Sequence, residues 1–94
     1  MVVAISRGQV TPGQQDRLHT AVDAIVEATL QDEGCIAYAF FTDIRDKDAV
    51  ICVEEWRDQN ALDTHQNHDH TADFLKAASE IFEQTTETAT YRPT

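Results

Sequence analysis

Three observations predict an α+β fold with the element order β-α-β-β-α-β. Two amphipathic helical stretches, near residues 14–30 and 59–82, each follow a run rich in β-branched or aromatic residues. Two such runs, at 36–42 and 50–56, stand back to back across a short charged connection. A threonine-rich alternating segment closes the chain. The chain's 94 residues are expected to form one domain, 1–94, with a core modest enough that self-association would bury useful further surface.

Val2 to Ile5 is a short β-branched run that ends at "SRGQ", and "VTPGQ" then supplies a turn before a polar helix start. In the first helix Leu18, Val22, Ile25 and Thr29 recur at steps of four, three and four, with Val26 and Leu30 widening the stripe; Gly34 stops it. The acidic residues Asp23, Glu27, Asp32 and Glu33 read as a solvated exterior. "IAYAFFT" (36–42) and "VICVEEW" (50–56) form an antiparallel hairpin across "DIRDKDA". Ile51 and Val53 point one way, and Val50, Cys52, Glu54 and Trp56 the other. The purely aliphatic pair is expected under the helices, leaving the mixed face outward. Ile36, Tyr38 and Phe40 are expected in the core by bulk, with Ala37, Ala39 and Phe41 lining the open face, where the small alanines leave room for a ligand.

Asp58 is placed to cap the next helix, whose later part carries Phe74, Leu75, Ala78, Ile81 and Phe82 on one face. "QNHDH" is weakly helical, so a break is expected there, recapped by Asp69 or Thr71. "TETATYRP" reads as a closing strand stopped by Pro93. The order is the split βαβ, or ferredoxin-like, sandwich: four antiparallel strands with helices on one face. A single sheet leaves its other face open, and a second copy of the chain is the expected cover, giving a face-to-face homodimer around a partly polar cavity.

Seven basic residues against seventeen acidic ones give a formal charge of −10, which repels phosphate backbones and anionic lipid heads. Neither nucleic acid nor a membrane surface is an expected partner. No stretch approaches the roughly 20 apolar residues of a membrane span, and the start lacks a signal peptide's apolar core, so a cytoplasmic location is expected. The hairpin sets Cys35 and Cys52 four or five residues out of register, about 13–16 Å apart. A disulfide reaches about 7 Å, so free thiols are expected.

With these elements in place, "PGQQDRL" after the first strand, "EGCIAY" before the second, "VEEW" in the third, and "ALDTH" followed by His70 resemble the antibiotic biosynthesis monooxygenase family, which includes small quinol monooxygenases. The resemblance spans essentially the whole chain. It implies a dimeric α+β barrel with a pocket in each subunit. It also implies oxygenation of electron-rich phenols or hydroquinones without flavin, haem or metal: the deprotonated substrate passes an electron to dioxygen, so the protein supplies a base, an apolar pocket and oriented hydrogen bonds. The same resemblance includes haem-degrading and isomerase-like branches. The haem-degrading branch carries a first-strand asparagine that Val2 to Arg7 lacks.

Three of the four histidines, His65, His68 and His70, fall within "HQNHDH". His65 lies about 300° from Leu62 on an ideal helical wheel, near the apolar face, which suits either a catalytic base or a histidine that fixes the helix break. "HQNHDH" matches no zinc spacing, so no metal is expected, and His68 reads as surface. Trp56 can floor an aromatic pocket or pack a dimer interface. Glu54, on a face that becomes buried, needs Arg7, Arg57, Arg92 or a histidine as partner, or else a raised pKa. His70 matches the resembled family's second histidine. The glycines are isolated, with no phosphate-cradling run, and no cofactor is expected.

The expected function is a cofactor-independent monooxygenase joining dioxygen to a small electron-rich aromatic. His65 and Glu54 are its catalytic candidates, and Trp56, His70 and Phe41 its substrate-binding candidates. The alternative is a non-catalytic small-molecule-binding or dimerisation module of the same fold, with a haem-degrading or isomerase activity behind it.

Overall fold

The structure, a computed structural model, describes residues 1–83 and 87–93. Its elements are β1 (Val2–Gln9), α1 (Gln15–Thr29), β2 (Cys35–Asp43), β3 (Asp46–Trp56), α2 (Gln59–Gln66), α3 (Asp69–Ile81) and β4 (Glu87–Tyr91). The strands form one antiparallel sheet in the order β2-β3-β1-β4, and helices cover one face, which is the ferredoxin-like arrangement. Thr86, at the start of the expected closing strand, lies outside the described residues. No described helix is long and apolar enough to cross a membrane.

The hairpin is longer than its apolar runs suggest. Strand pairing continues to Asp43 opposite Asp46, so most of the charged "DIRDKDA" is strand rather than loop. Backbone pairing needs no apolar side chains where both faces meet solvent. Asp43 and Asp46 side chains then accept from the backbone amides of Arg45 and Asp48. Phe40 pairs with Cys52 and Cys35 with Trp56, so the thiols stand four positions apart along the ladder, and both are free.

Which face of β3 meets the helices is the reverse of the expectation. Val50, Cys52 and Trp56 are buried beneath them, while Ile51 and Val53 lie half-exposed on the open face. Covering an indole gains roughly 4–6 kcal/mol, about what Ile51 and Val53 would give together. Val50 and Cys52 add to the Trp56 side, which tips the choice. On β2, Tyr38 and Phe40 face the helices as expected, but Ile36 is 55% exposed. A register shift between Cys35 and Ala37 interrupts the alternation and turns it out.

Leu18, Ile25 and Thr29 form the buried stripe of α1. The second helical segment breaks where expected, at Asn67 and His68, between α2 and α3. Asp58 caps α2 by accepting from the Ala61 amide. The N-cap of α3 is His68, with no side-chain cap bond, rather than Asp69 or Thr71. Thr71 instead donates its hydroxyl to the His65 carbonyl at 2.6 Å, tying the first turn of α3 back to α2 across the break.

Candidate functional site

The reversal of β3 carries Glu54 inward, toward α2. Trp56, two residues on and 0% exposed, donates its indole N–H to Glu54 Oε1 at 3.1 Å. Above them His65, 3% exposed near the end of α2, packs between the Trp56 ring at 4.8 Å and the Tyr38 ring at 5.5 Å. Its Nε2 lies 3.8 Å from Glu54 Oε1, and its Nδ1 lies 3.0 Å from Oδ2 of Asp32 in the turn after α1. The same Asp32 oxygen is 2.8 Å from Nε2 of His70. A carboxylate oxygen can only accept, so the hydrogens of these bonds sit on His65 Nδ1 and His70 Nε2. In its neutral form His65 therefore presents a bare Nε2 toward Glu54.

A cavity of about 160 Å³ adjoins this array, between the sheet and α2 and α3. Tyr38, Phe40, Cys52 and Glu54 form its floor, and His65 and Phe74 overhang it. Ser6 and Thr88, hydrogen-bonded through their hydroxyls at 2.9 Å, stand at the β1–β4 side. The volume is below the about 300–1,000 Å³ typical of pockets for drug-sized ligands, and it suits a single-ring molecule.

Electrostatics follow from burial. Removal from water pushes the Glu54 carboxyl up, against the Trp56 hydrogen bond and the nearby His65, which act to lower it. Burial raises the Cys52 thiol to about 12, with the Glu54 charge adding to it. The Tyr38 phenol is raised too, chiefly by burial and then by the Cys52 and Glu54 charges. Asp32 goes the other way: burial works to raise it, but the hydrogen bonds from His65 and His70 and the charges of His70 and His68 outweigh that and hold it low.

Of the five residues singled out in the sequence, Glu54 and His65 line the cavity. Trp56 lies behind them and bears on the cavity through Glu54 and His65. His70 turns toward Asp32, and Phe41, 54% exposed, is on the opposite face of the sheet beside Ile51. Glu54's neighbours are Trp56 and a histidine rather than Arg57, which pairs with Glu33 and Asp58. Asp32 is the residue that sequence reasoning missed: assigned to the solvated exterior, its side chain is only 8% exposed. His68, read as surface, has a 42% exposed side chain and stacks on His70 at 4.8 Å.

A small α+β sandwich with a half-enclosed apolar cavity and a histidine–carboxylate array at one wall describes a small-molecule-binding domain. The chain belongs to the family described as antibiotic biosynthesis monooxygenase, whose sequence profile matches residues 1–77. A Mycobacterium tuberculosis protein named "Putative monooxygenase Rv0793" is 25% identical over 80 residues, covering 85% of this chain and 78% of that protein. The crystal structure of a conserved protein from Methanosarcina mazei Go1 superposes with a TM-score of 0.95 at 28% identity, covering 99% of this chain and 92% of the other. A crystal structure described as an antibiotic biosynthesis monooxygenase superposes at 0.92 with 26% identity, covering 100% and 99%.

Proposed function

We propose that this protein is a monooxygenase that needs no cofactor and oxidises a small hydroquinone or phenol with dioxygen, working as a cytoplasmic homodimer. The observation that carries this reading is His65: a buried imidazole held at Nδ1 by Asp32, with Nε2 directed at the wall of a mostly apolar cavity. Membership of a monooxygenase family supports the reaction class. The cavity's size favours one ring.

In this reading His65 Nε2 takes the phenolic proton, and Asp32 stabilises the imidazolium that forms. The phenolate passes an electron to dioxygen, the radical pair joins at a ring carbon, and the O–O bond then breaks. The ring gains one oxygen atom and loses two hydrogens, which leave with the other oxygen as water. Substrate electrons alone complete the reduction, so no external reductant enters. Glu54, whose carboxyl burial pushes up, lines the same cavity beside His65, within reach of a substrate oxygen.

The test is dioxygen uptake with a panel of single-ring hydroquinones and phenols, corrected for autoxidation in buffer. The wild type should show saturable uptake, and His65→Gln should lower turnover by about 10²–10⁴-fold, the usual contribution of a general base. Circular dichroism would establish that the variant is folded. Turnover unchanged in a folded His65→Gln protein would remove His65 as the base. Uptake never exceeding buffer would favour a binding module.

A further inference from the structure

We propose that Asp32, His65 and His70 form a binding site for a divalent transition-metal ion of the zinc type. The three donors come from different elements: the turn after α1, the last turn of α2 and the first turn of α3. One carboxylate oxygen and two imidazole nitrogens is a donor set that borderline ions favour. Asp32 Oδ2 already lies 3.0 Å from His65 Nδ1 and 2.8 Å from His70 Nε2, and one donor atom from each residue lies within 4.8 Å of the others. With metal–ligand bonds of about 2.0–2.1 Å, a tetrahedral set needs ligand separations of about 3.4 Å. Reaching that spacing requires a small swing of one ring, and His70, whose side chain is 25% exposed, has the freedom for it.

The surroundings suit such a centre. Asp32 and His65 are nearly covered, with side chains 8% and 3% exposed, and so are fixed in position by packing. Glu54 Oε1 lies 3.8 Å from His65 Nε2, longer than a hydrogen bond but on the side to which the far N–H of a metal-bound imidazole would point. An ion taking the place of the two shared hydrogens would put positive charge into a chain of net charge −10. The remaining coordination position falls to water or to His68, whose Nε2 is 3.7 Å from the other Asp32 oxygen.

This inference goes beyond the oxygenase reading and does not depend on it. A neutral His65 bound through Nδ1 carries its hydrogen on Nε2 and cannot be a base in the same state. If both readings hold, zinc suppresses oxygen uptake.

The experiment titrates metal-stripped protein with zinc chloride alone by calorimetry. Expected is saturable binding of one ion per chain, weakened more than about 100-fold in Asp32→Asn and in His70→Ala, because loss of a ligand should exceed the 10–100-fold cost of losing an outer-shell partner. His19→Ala, on the exposed face of α1 outside the cluster, should bind as the wild type does. His70→Ala changes a partly exposed side chain, so it keeps the test decisive if Asp32→Asn unfolds. Absence of saturable binding, or binding that survives folded His70→Ala undiminished, overturns the proposal. Because the readout is binding, an inactive oxygenase that still takes one zinc ion refutes only the oxygenase reading.

Discussion

At the level of single residues, burial sets the chemistry of the cavity wall. Cys52 faces the helices with its thiol raised to about 12, so at pH 8 only about one molecule in 10⁴ carries the reactive thiolate. Native protein treated with iodoacetamide at pH 8 should therefore keep Cys52 unmodified and label it only after denaturation, as read by peptide mass mapping. Fast labelling of Cys52 in native protein would contradict the inward orientation of β3. The sign of the linkage follows: the folded state holds this proton more tightly than the unfolded chain, whose ordinary value is 9.0, so stability declines as pH rises from 9.0 toward 12. His65 and Glu54 were legible in the sequence because an imidazole on an apolar stripe and a carboxylate on an alternating strand stand out locally. Asp32 was not, because its burial depends on two histidines more than thirty positions downstream, which no local pattern reveals.

Among elements, the junction of the α1–β2 turn with α2 deserves a quantitative test. Gly34 has φ of +81°, its carbonyl accepts from the Arg57 amide at 2.8 Å, and a Cβ there would stand 2.6 Å from Ala61 Cβ. Gly34→Ala should cost about 2–4 kcal/mol, combining left-handed strain with overpacking. Gly13→Ala, with φ of +88° and open space around it, should cost only the about 1–2 kcal/mol of strain. Urea denaturation of both variants measures the difference, and equal losses would show that the approach to α2 contributes nothing. The sequence identified Gly34 as a helix stop but not as a contact. Likewise it located the α2–α3 break from weak helix formers, yet missed that Thr71 bonds the His65 carbonyl instead of capping α3. Both misses concern what an element touches rather than what it is.

For the whole molecule, the open face of the sheet carries Val3, Ile5, Ala39, Phe41, Ile51 and Val53, an apolar surface with Phe41 54% exposed. In the proposed homodimer this surface is the shared one, so Phe41→Glu should give monomers in sedimentation equilibrium at concentrations where the wild type pairs. A wild type that is monomeric throughout would end the dimer reading. The fold class was legible because helix and strand periodicities differ and their order admits few topologies. The choice of buried face was not, since both faces of β3 are partly apolar and it is the sum of Val50, Cys52 and Trp56 against the Ile51–Val53 pair that settles it. The strand order has one further effect, on biosynthesis. β1 is bonded to β3 on one edge and to β4 on the other, with Val2 opposite Trp56 and Val3 opposite Tyr91. As the polypeptide emerges from the ribosome, β2 and β3 can zip together at once, whereas the earliest strand must wait for partners made much later. β1 can join only after β3 has emerged, and its other edge waits for β4, the last strand made, so sheet assembly starts from the β2–β3 hairpin rather than from the first strand.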